Sequence, residues 1–362
     1  MPAASLPTGK PQQIGAAINC GRAFDRRAPE ERKTMSSIPG GGQHRTPTAR
    51  GGQPELRRTE HLRYSMASAQ TLYELAADVT RWPAIFGPSV YAQHLGRGQS
   101  TERFRLWAQV NGEVKSWVSR RELDPDALWI RFDQEESASP IASMGGEWHF
   151  RPLPDGGTEI VLLHEFTAVD DAPETISWIT SALDRNSAVE LEALTRIAEL
   201  GHPIDELVFS FTDTVALKRS AAEVYDFLHR SDLWPQRLPH VQRVVLKEDE
   251  PNIQDMVMET VTADGSTHST HSVRVCVPGQ LIVYKQLMPP RLLFGHSGRW
   301  ELAGAGDEVL VTAEHTVAIN PVAVAEVLGA GKTLADAREY IRTALGRNSR
   351  STLAHAGKPA HE

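Results

Sequence analysis

The sequence predicts two tandem α+β domains, each a curved antiparallel sheet that wraps around a long C-terminal helix. Three observations lead to this fold class: an internal repeat, runs of strand-like alternation within each copy, and an amphipathic helix at the end of each copy. At 362 residues, the chain is long enough to bury two cores. A domain of this kind can leave a cavity between its sheet and its helix.

The repeat is clearest around two Trp-Pro pairs. The segment "ADVTRWPAIFGPSV" (77–90) recurs as "LHRSDLWPQRLPHV" (228–241), and each copy follows a helical stretch. Other matching positions lie 151 to 153 residues apart: Arg121 and Arg274, Trp148 and Trp300, His164 and His315. We expect a first domain at 59–201 and a second at 206–357, because Gly and Pro in "GHPID" (201–205) end a long helix.

The elements follow the same order in both copies. A short strand ("HLRYSM" in the first copy) leads to a helix and to a second short helix broken at Trp-Pro. Period-2 alternation then predicts five strands, separated by turns such as "DPDA" and "PDGG": "ERFRLWAQV", "VKSWVSRREL", "ALWIRFDQ", "GEWHFRP" and "EIVLLHEFTAV". A helix closes each unit, over 174–200 in the first copy and about 333–356 in the second.

Charge is unevenly distributed along the chain. Residues 1–58 carry ten Lys/Arg against four Asp/Glu, which leaves a body with a net charge of about −14. This basic tail is rich in Gly, Pro, Ser and Arg without a hydrophobic period, so we expect it to be disordered. The acidic body makes nucleic acid a poor partner for it. We assign the tail no function.

Segments that would target the chain to a membrane or for secretion are missing from the sequence. No apolar run approaches the roughly 20 residues needed to cross a bilayer, and the N-terminus lacks the apolar core of a signal peptide. Cys20 and Cys276 cannot form a disulfide framework and do not have zinc-ligand spacing. We therefore expect a cytoplasmic protein without a membrane partner.

A histidine and a carboxylate interrupt apolar faces of the first domain. Strand alternation puts His164 in an apolar row, and i, i+3, i+4 spacing puts Glu190 on the inward face of the terminal helix. A buried carboxylate needs a partner, or its pKa rises. In "VKSWVSRREL" one arginine should also point inward, but alternation does not decide between Arg120 and Arg121.

These polar residues permit two interpretations. They are candidates to converge on one apolar cavity as a functional site, because clusters that perturb one another's pKa values are frequent there. They could equally form a buried salt-bridge network that only fixes the helix on the sheet. The residues alone favour neither interpretation.

Four segments resemble the bacterial aromatic polyketide aromatase/cyclases: "WPAIFGPSV", "NGEVKSWVSRRELDP", "ASMGGEWHF" and "LDRNSAVELEAL". The likeness covers residues 60 to 356, and the tandem arrangement resembles the di-domain class found in type II polyketide synthases. It implies an α+β protein with two helix-grip domains of the START/Bet v 1 (SRPBCC) type. It also implies an internal pocket for a poly-β-ketone chain tethered to an acyl carrier protein.

The resemblance also implies a set of catalytic residues. An arginine in the S-x-R strand, a histidine on a later strand and an acid on the last helix are the groups proposed in single-domain relatives. They correspond here to Arg121, His164 and Glu190, although the acid of those relatives is usually one methylene shorter. The resemblance thus selects Arg121 over Arg120.

The matching residues of the second domain lack the acid; they are Arg274, His315 and Thr352. A threonine cannot act as a general base at neutral pH. We therefore expect the first domain to carry the chemistry. The second domain would supply stability, substrate shaping or carrier docking.

The chemistry implied is an intramolecular aldol cyclisation followed by dehydration. A methylene between two ketones is already acidic, so we expect no metal and no redox cofactor. Arg121 would stabilise the developing oxyanion, and His164, oriented by Glu190 directly or through water, would shuttle the proton and protonate the departing hydroxyl. Di-domain relatives imply closure of the first ring, between carbons seven and twelve of a ketoreduced chain.

Several aromatic and apolar residues are candidates to line the pocket and exclude water, although each could equally pack in the core: Trp82, Phe86, Trp117, Met144 and Trp148. The resemblance implies partners from the synthase, namely the acyl carrier protein, the ketosynthase and the ketoreductase. Because the carrier is usually acidic, it should dock on a local basic patch. Arg97, Arg103 and Arg105 are candidates for that patch.

Two other classes of function are alternatives to a cyclase, namely a non-catalytic binder and a hydrolase. Helix-grip domains often only carry lipids or hormones, and such a non-catalytic binder should tolerate loss of Arg121 and His164. A hydrolase is the other class, but the sequence has no Ser/His/Asp order, cysteine nucleophile or metal cluster typical of one.

Overall fold

The computed structural model describes residues 54–154, 156–261 and 267–358. In these ranges the chain forms two seven-stranded antiparallel sheets, each accompanied by helices and closed by one long helix. The predicted α+β class with two tandem helix-grip units is confirmed.

The first domain contains seven strands and three helices: β1 (Arg57–Ser65), α1 (Ala69–Ala77), α2 (Trp82–Ile85), β2 (Ser89–Arg97), β3 (Thr101–Val110), β4 (Glu113–Asp124), β5 (Trp129–Glu136), β6 (Ile141–Pro152), β7 (Thr158–Ala168) and α3 (Pro173–Ala198). Its strand order is β1-β7-β6-β5-β4-β3-β2. Every strand from β2 to β6 pairs with the next along the chain, and β1 closes the opposite edge on β7.

The second domain repeats this plan: α4 (Ile204–Leu207), β8 (Val208–Leu217), α5 (Ala221–His229), α6 (Trp234–Arg237), β9 (Val241–Glu250), β10 (Ile253–Val261), β11 (Thr267–Val277), β12 (Leu281–Gln286), β13 (Leu293–Ala305), β14 (Glu308–Ile319), α7 (Val324–Leu328) and α8 (Leu334–Ala356). Its strand order is β8-β14-β13-β12-β11-β10-β9, the equivalent of the first sheet. The predicted helices at 174–200 and 333–356 correspond to α3 and α8. The prediction omitted β2.

The Trp-Pro pairs attach a short helix to the end of the helix before it. The indole of Trp82 donates a hydrogen bond to the carbonyl of Ala76 at 3.1 Å, and the indole of Trp234 donates one to Phe227 at 2.9 Å. Proline follows directly, within the first turn, where its missing N–H costs no helical bond. The repeated motif therefore has the same structural role in both domains.

The domains pack through α2 and the start of β2 against the outer face of the second sheet. Val90 forms one apolar cluster with Val273 and Val275 of β11. A Cβ atom on Gly295 would lie 2.0 Å from the carbonyl oxygen of Ala84, so only glycine allows this approach. The cores of the two units are thus continuous across the contact.

Most of the predicted tail, residues 1–58, lies outside the described residues, as does Cys20. Arg57 and Arg58 are the first residues of β1, which begins two positions before the predicted domain start at 59. Cys276 is a buried free thiol. Among the helices described, none has the length and apolar character needed to cross a membrane.

Candidate functional site

A cavity of about 140 Å³ lies between the sheet and α3 of the first domain. Arg121 from β4, His164 from β7 and Glu190 from α3 all line it. Asn186 and Ser187 of the "LDRNS" segment are further polar residues in its wall. The structure therefore brings the three predicted catalytic residues to one cavity.

Arg121 points inward and is 2% exposed, whereas Arg120 lies on the outer, exposed face of β4. Its Nε donates to Glu102 at 2.8 Å, and Nη2 donates to the same carboxylate. Nη1 donates to the carbonyl of Ala76 at 3.0 Å and Nη2 to that of Ala77 at 2.5 Å. These four bonds leave one of its five N–H groups, on Nη1, for another acceptor.

The arginine of the S-x-R strand thus caps the first helix of its domain. Ala76 and Ala77 end α1, where carbonyls have no intrahelical partner and a cation is favourable. Arg274 does the same in the second domain, donating to Leu228 at 2.6 Å and to the hydroxyl of Ser231 at 2.9 Å. This answers why a strand carries a buried charge in both repeats.

The Arg121 guanidinium also contacts aromatic rings, at 5.1 Å from the Trp82 centroid and 5.2 Å from that of Phe104. Burial lowers the pKa of Arg121, and the Glu102 carboxylate acts in the opposite direction. Because Glu102 balances its charge, Arg121 offers the cavity a hydrogen-bond donor and not an isolated cation.

His164 is buried and has an unsatisfied ring nitrogen. It is 8% exposed, and its Nδ1 has no hydrogen-bond partner. The rings of Phe132 and His61 contact it edge-on, with centroids at 5.6 and 6.1 Å. Burial lowers the pKa of His164 to about 3, with a smaller contribution from His61, so the imidazole is neutral at neutral pH.

Glu190 is half-buried and makes neither a hydrogen bond nor an ion pair with the described residues. Burial raises the pKa of Glu190 to about 7, and the positive charge of Lys285 acts in the opposite direction. Its carboxyl group can therefore both lose and gain a proton near neutral pH. No hydrogen bond joins Glu190 to His164 among the contacts described, so the direct form of the expected orientation is absent, and orientation through water stays a prediction.

Of the five residues expected to line the pocket, four do so: Trp82, Trp117, Met144 and Trp148. Phe86 does not. Its side chain is 1% exposed in the core, where its ring lies 5.4 Å from that of Trp82. Phe86 is the C-cap residue of the four-residue helix α2 and lines a groove between the domains instead of the cavity.

The second domain has a cavity of about 1090 Å³, lined by Arg274, His315 and Thr352 among others. His315 bonds through both ring nitrogens, to His296 at 3.0 Å and to the hydroxyl of Ser349 at 2.9 Å. Burial lowers the pKa of His315 to about 4 and that of His296 well below its usual range. The histidine of this domain is therefore held in a polar network.

The three arginines proposed as a docking patch are all within ion-pair distance of carboxylates. Arg103 contacts Glu135 at 2.7 Å, Arg105 contacts Glu136 at 2.8 Å, and Arg97 lies 3.7 Å from Glu102. The charges of Arg103 and Arg105 are thus balanced locally, whereas Arg97 shares Glu102 with Arg121. Two of the three arginines therefore contribute little free positive charge to the proposed patch.

Sequence reasoning missed two charged residues that contribute to this site. Glu102 could have been found, since it begins the inward row of β3 that continues with Phe104 and Leu106, one strand away from Arg121. No sequence pattern could have indicated Lys285, because its contact with the first domain depends on how the two domains pack. Among the residues described, no group of three or more His, Cys, Asp or Glu could hold a metal ion.

Residues 66–191 match the family model described as "Polyketide cyclase / dehydrase and lipid transport". The chain is 51% identical, over 308 residues, to the granaticin polyketide synthase bifunctional cyclase/dehydratase of Streptomyces violaceoruber, covering 85% of this chain and 95% of that protein. It is 52% identical to the actinorhodin polyketide synthase bifunctional cyclase/dehydratase of Streptomyces coelicolor over 318 residues, covering 85% and 98%.

Two solved structures of the same architecture are similar over most of their length. The di-domain ARO/CYC BexL from the BE-7585A biosynthetic pathway gives a TM-score of 0.71 at 46% identity, covering 84% of this chain and 99% of that one. The di-domain ARO/CYC StfQ from the steffimycin biosynthetic pathway gives 0.68 at 36% identity, covering 83% and 97%.

Proposed function

The chain belongs to the family of di-domain bifunctional cyclase/dehydratases of polyketide synthases, and on that premise we propose that it cyclises and dehydrates a poly-β-ketone in the cavity of its first domain. The observation that carries this proposal is the convergence of Arg121, His164 and Glu190 on one largely apolar cavity. Two of these groups, His164 and Glu190, retain polar atoms that have no partner among the residues the structure describes. Such atoms are available to a substrate.

Glu190 is the residue best matched to move protons. As a carboxylate it removes a proton from a methylene between two carbonyls, and the resulting enolate carbon forms the new C–C bond with a distant carbonyl carbon. As a carboxylic acid it returns a proton to the alkoxide or to the departing hydroxyl, which leaves as water when a second α-proton is removed. A pKa of about 7 suits both directions at neutral pH.

Arg121 and His164 stabilise and orient the reacting oxygens. The remaining Nη1–H of Arg121 donates to the oxygen on which negative charge develops, and the fixed position of the guanidinium removes the cost of orienting it. Neutral His164 offers one donor and one acceptor nitrogen in an apolar setting. It holds the hydroxyl that is to be eliminated through one hydrogen bond, and Glu190 supplies the proton with which this hydroxyl leaves as water.

The narrow cavity determines which carbons of the substrate join, because it restricts how the polyketide chain can fold. Its volume of about 140 Å³ is below the roughly 300 to 1000 Å³ of typical small-molecule sites, so entry of a chain requires movement of flexible lining residues such as Met144. We assign the first ring, closed between carbons seven and twelve of a ketoreduced chain, as its product. The substrate arrives on an acyl carrier protein, with ketosynthase and ketoreductase as the other components.

The test is reconstitution with a minimal synthase, an acyl carrier protein and a ketoreductase. Wild-type protein should convert the mixture of shunt products into one product with an aromatic first ring, and Glu190→Gln should lower its yield about 100-fold or more. Product profiles by liquid chromatography and mass spectrometry provide the readout.

Thr352→Val, at the equivalent position of the second domain, is the matched control and should leave the yield close to that of wild type. A profile that does not change when wild-type protein is added would refute the enzyme assignment. Tight binding of the polyketide in that case would identify a non-catalytic carrier of hydrophobic ligands.

A further inference from the structure

A lysine of the second domain is buried against the first. Lys285 lies on β12, and its Nζ is 2.5 Å from the carbonyl oxygen of Phe86, 2.6 Å from that of Gly87 and 2.7 Å from that of Ser89. The residue is only 5% exposed. Three carbonyl acceptors match the three N–H donors of a protonated ammonium, whereas a neutral amine has two.

The clamped segment forms part of the wall of the catalytic cavity. Residues 86–89 connect α2 to β2, and Pro88 lines both that cavity and a groove of about 690 Å³ between the domains. Asn186 of α3 lines both spaces as well. A displacement of this backbone would therefore change the shape of the site.

Lys285 also acts on the acid of the site. Its positive charge opposes the effect of burial on Glu190, and the Glu190 carboxylate in turn opposes the lowering of the Lys285 pKa by burial. The two side chains form no direct ion pair. In the part of the chain that the structure describes, Lys285 is the one charged group that acts on Glu190 appreciably.

The internal repeat shows that this lysine is not required by the fold. Phe132 pairs with Arg121 as Tyr284 pairs with Arg274, which makes Asp133 the equivalent of Lys285. The Asp133 side chain is about half exposed on the outer face of the first sheet. The position thus carries opposite charges in the two domains, and only the lysine lies in the contact between them.

We propose that Lys285 is a positioning residue by which the second domain prepares the catalytic cavity of the first, fixing residues 86–89 and placing a positive charge within electrostatic reach of Glu190. This inference rests on the proposed function, because it assigns Glu190 a catalytic task. It explains physically why a domain without its own acid accompanies the catalytic one. The first domain, in this arrangement, is complete only when the second is docked on it.

The first experiment measures the protonation of Glu190 directly, without relying on activity. The infrared C=O stretch of the protonated carboxyl is identified by its loss in Glu190→Gln and followed against pH. Lys285→Met removes the positive charge at similar side-chain length and should raise the titration midpoint by about one pH unit. Lys247→Met, which changes an exposed lysine of β9, should leave it unchanged.

The second experiment follows the consequences in the full chain. In Lys285→Met the acidic limb of the pH profile of kcat/KM should move upward with the Glu190 midpoint, and the yield at neutral pH should fall about fivefold. Amides of residues 86–91 should exchange hydrogen faster than in wild type. Lys285→Arg retains the charge and should restore the midpoint, although not the fit to three carbonyls.

The outcomes separate this inference from the proposed function. A wild-type protein without cyclase activity would refute the function and leave the infrared test valid. An active enzyme whose midpoint is the same in wild type and Lys285→Met would overturn the inference. If Lys285→Met does not fold, the coupling is measured from the other side: the midpoint of the Lys285 Nζ nitrogen, followed by NMR, should fall in Glu190→Gln, and an unchanged midpoint would contradict the proposal.

Discussion

The two domains place the same arginine and histidine at equivalent positions, yet of these two histidines only that of the first domain has a buried ring nitrogen without a partner among the described residues. Nδ1 of His164 has none and Glu190 makes no hydrogen bond, whereas His315 is bonded through both ring nitrogens. Since nearly all buried polar groups in proteins are paired, the exceptions call for an explanation, and a catalytic role provides one. The difference indicates that the same residue types give the same function in both domains only if their polar atoms remain free to bind a substrate.

A few substitutions between the repeats account for this difference. The equivalent residues of the first and second cavities are Met144 and His296, Phe132 and Tyr284, Glu190 and Thr352. The first two introduce polar atoms that bond to His315, and the third removes the carboxylate. The histidine of the second cavity is thus satisfied by protein partners, while the helix-capping arginine is kept and the nitrogens Nε of Arg274 and Nε1 of Trp300 have no partner among the described residues.

The largest effect on stability should come from the capping arginines. Arg121→Met leaves the buried Glu102 carboxylate without its main partner and should cost about 3 to 5 kcal/mol. Arg274→Met should cost about 1 to 3 kcal/mol, because Arg274 forms no ion pair with the described residues and only hydrogen bonds are lost. Hydrogen exchange of α1 and α5 peptides measures each domain separately.

Equal losses in the two variants would show that the Arg121–Glu102 pair contributes nothing beyond helix capping. The double variant Arg121→Met/Glu102→Gln supplies the control. It should recover part of the loss, since no buried charge is left uncompensated.

Much of the fold could be predicted from local signals, and its one missed strand has a physical cause. The predicted strands alternate regularly over most of their length. In β2 two register shifts, at Ser89/Tyr91 and at His94/Gly96, break the period of two that identifies a strand. In β4 a register shift against β5, between Val118 and Ser119, also interrupts the alternation just before the two arginines. Each arginine suits one face of the strand, so the choice of Arg121 came from the family resemblance and not from periodicity.

The site was less predictable where it depends on tertiary packing. His164 and Glu190 interrupt apolar patterns and were therefore visible. The Lys285 contact joins residues almost 200 positions apart, on the outer face of one sheet and in a loop of the other domain. The local sequence pattern does not indicate how the domains pack against each other. It also did not indicate that Phe86 is buried in the core and does not line the cavity.

The pH dependence of stability should distinguish the acid of the first domain from its counterpart. The folded pKa of Glu190 is raised to about 7 from an ordinary value of 4.5, so its favourable contribution is complete below 4.5 and is lost as the pH rises through 7. Glu190→Gln should therefore match wild type at pH 4 and be more stable by about 2 kcal/mol at pH 8 to 9, allowing for its partial exposure. Thermal unfolding across this range measures the difference.

Thr352→Val provides the comparison for that experiment, since it should change stability by the same amount at every pH. A pH-independent difference for Glu190→Gln would mean that the carboxyl titrates normally in the folded protein and is not tuned for proton transfer.

The smallest stability effects, but of opposite sign, should come from the two histidines. His164→Leu removes a buried imidazole with an unpaired nitrogen and should leave stability unchanged or raise it by about 1 kcal/mol. His315→Leu leaves His296, Ser349 and Tyr284 without a partner and should cost about 2 kcal/mol. The order should be reversed for activity: it should fall about 100-fold in His164→Leu, the more stable variant, and little in His315→Leu.

The crossed pattern is what makes this pair informative, because a residue that only supports the fold cannot lower activity while leaving stability intact. Yields are compared in the reconstituted synthase at a temperature where both variants remain folded by circular dichroism. Loss of the aromatic product in folded His315→Leu would mean that the second cavity takes part in the chemistry, and the unpartnered ring nitrogen of His164 would then no longer distinguish the domains in function. Because Leu and His are similar in volume, a change in cavity size cannot produce either result.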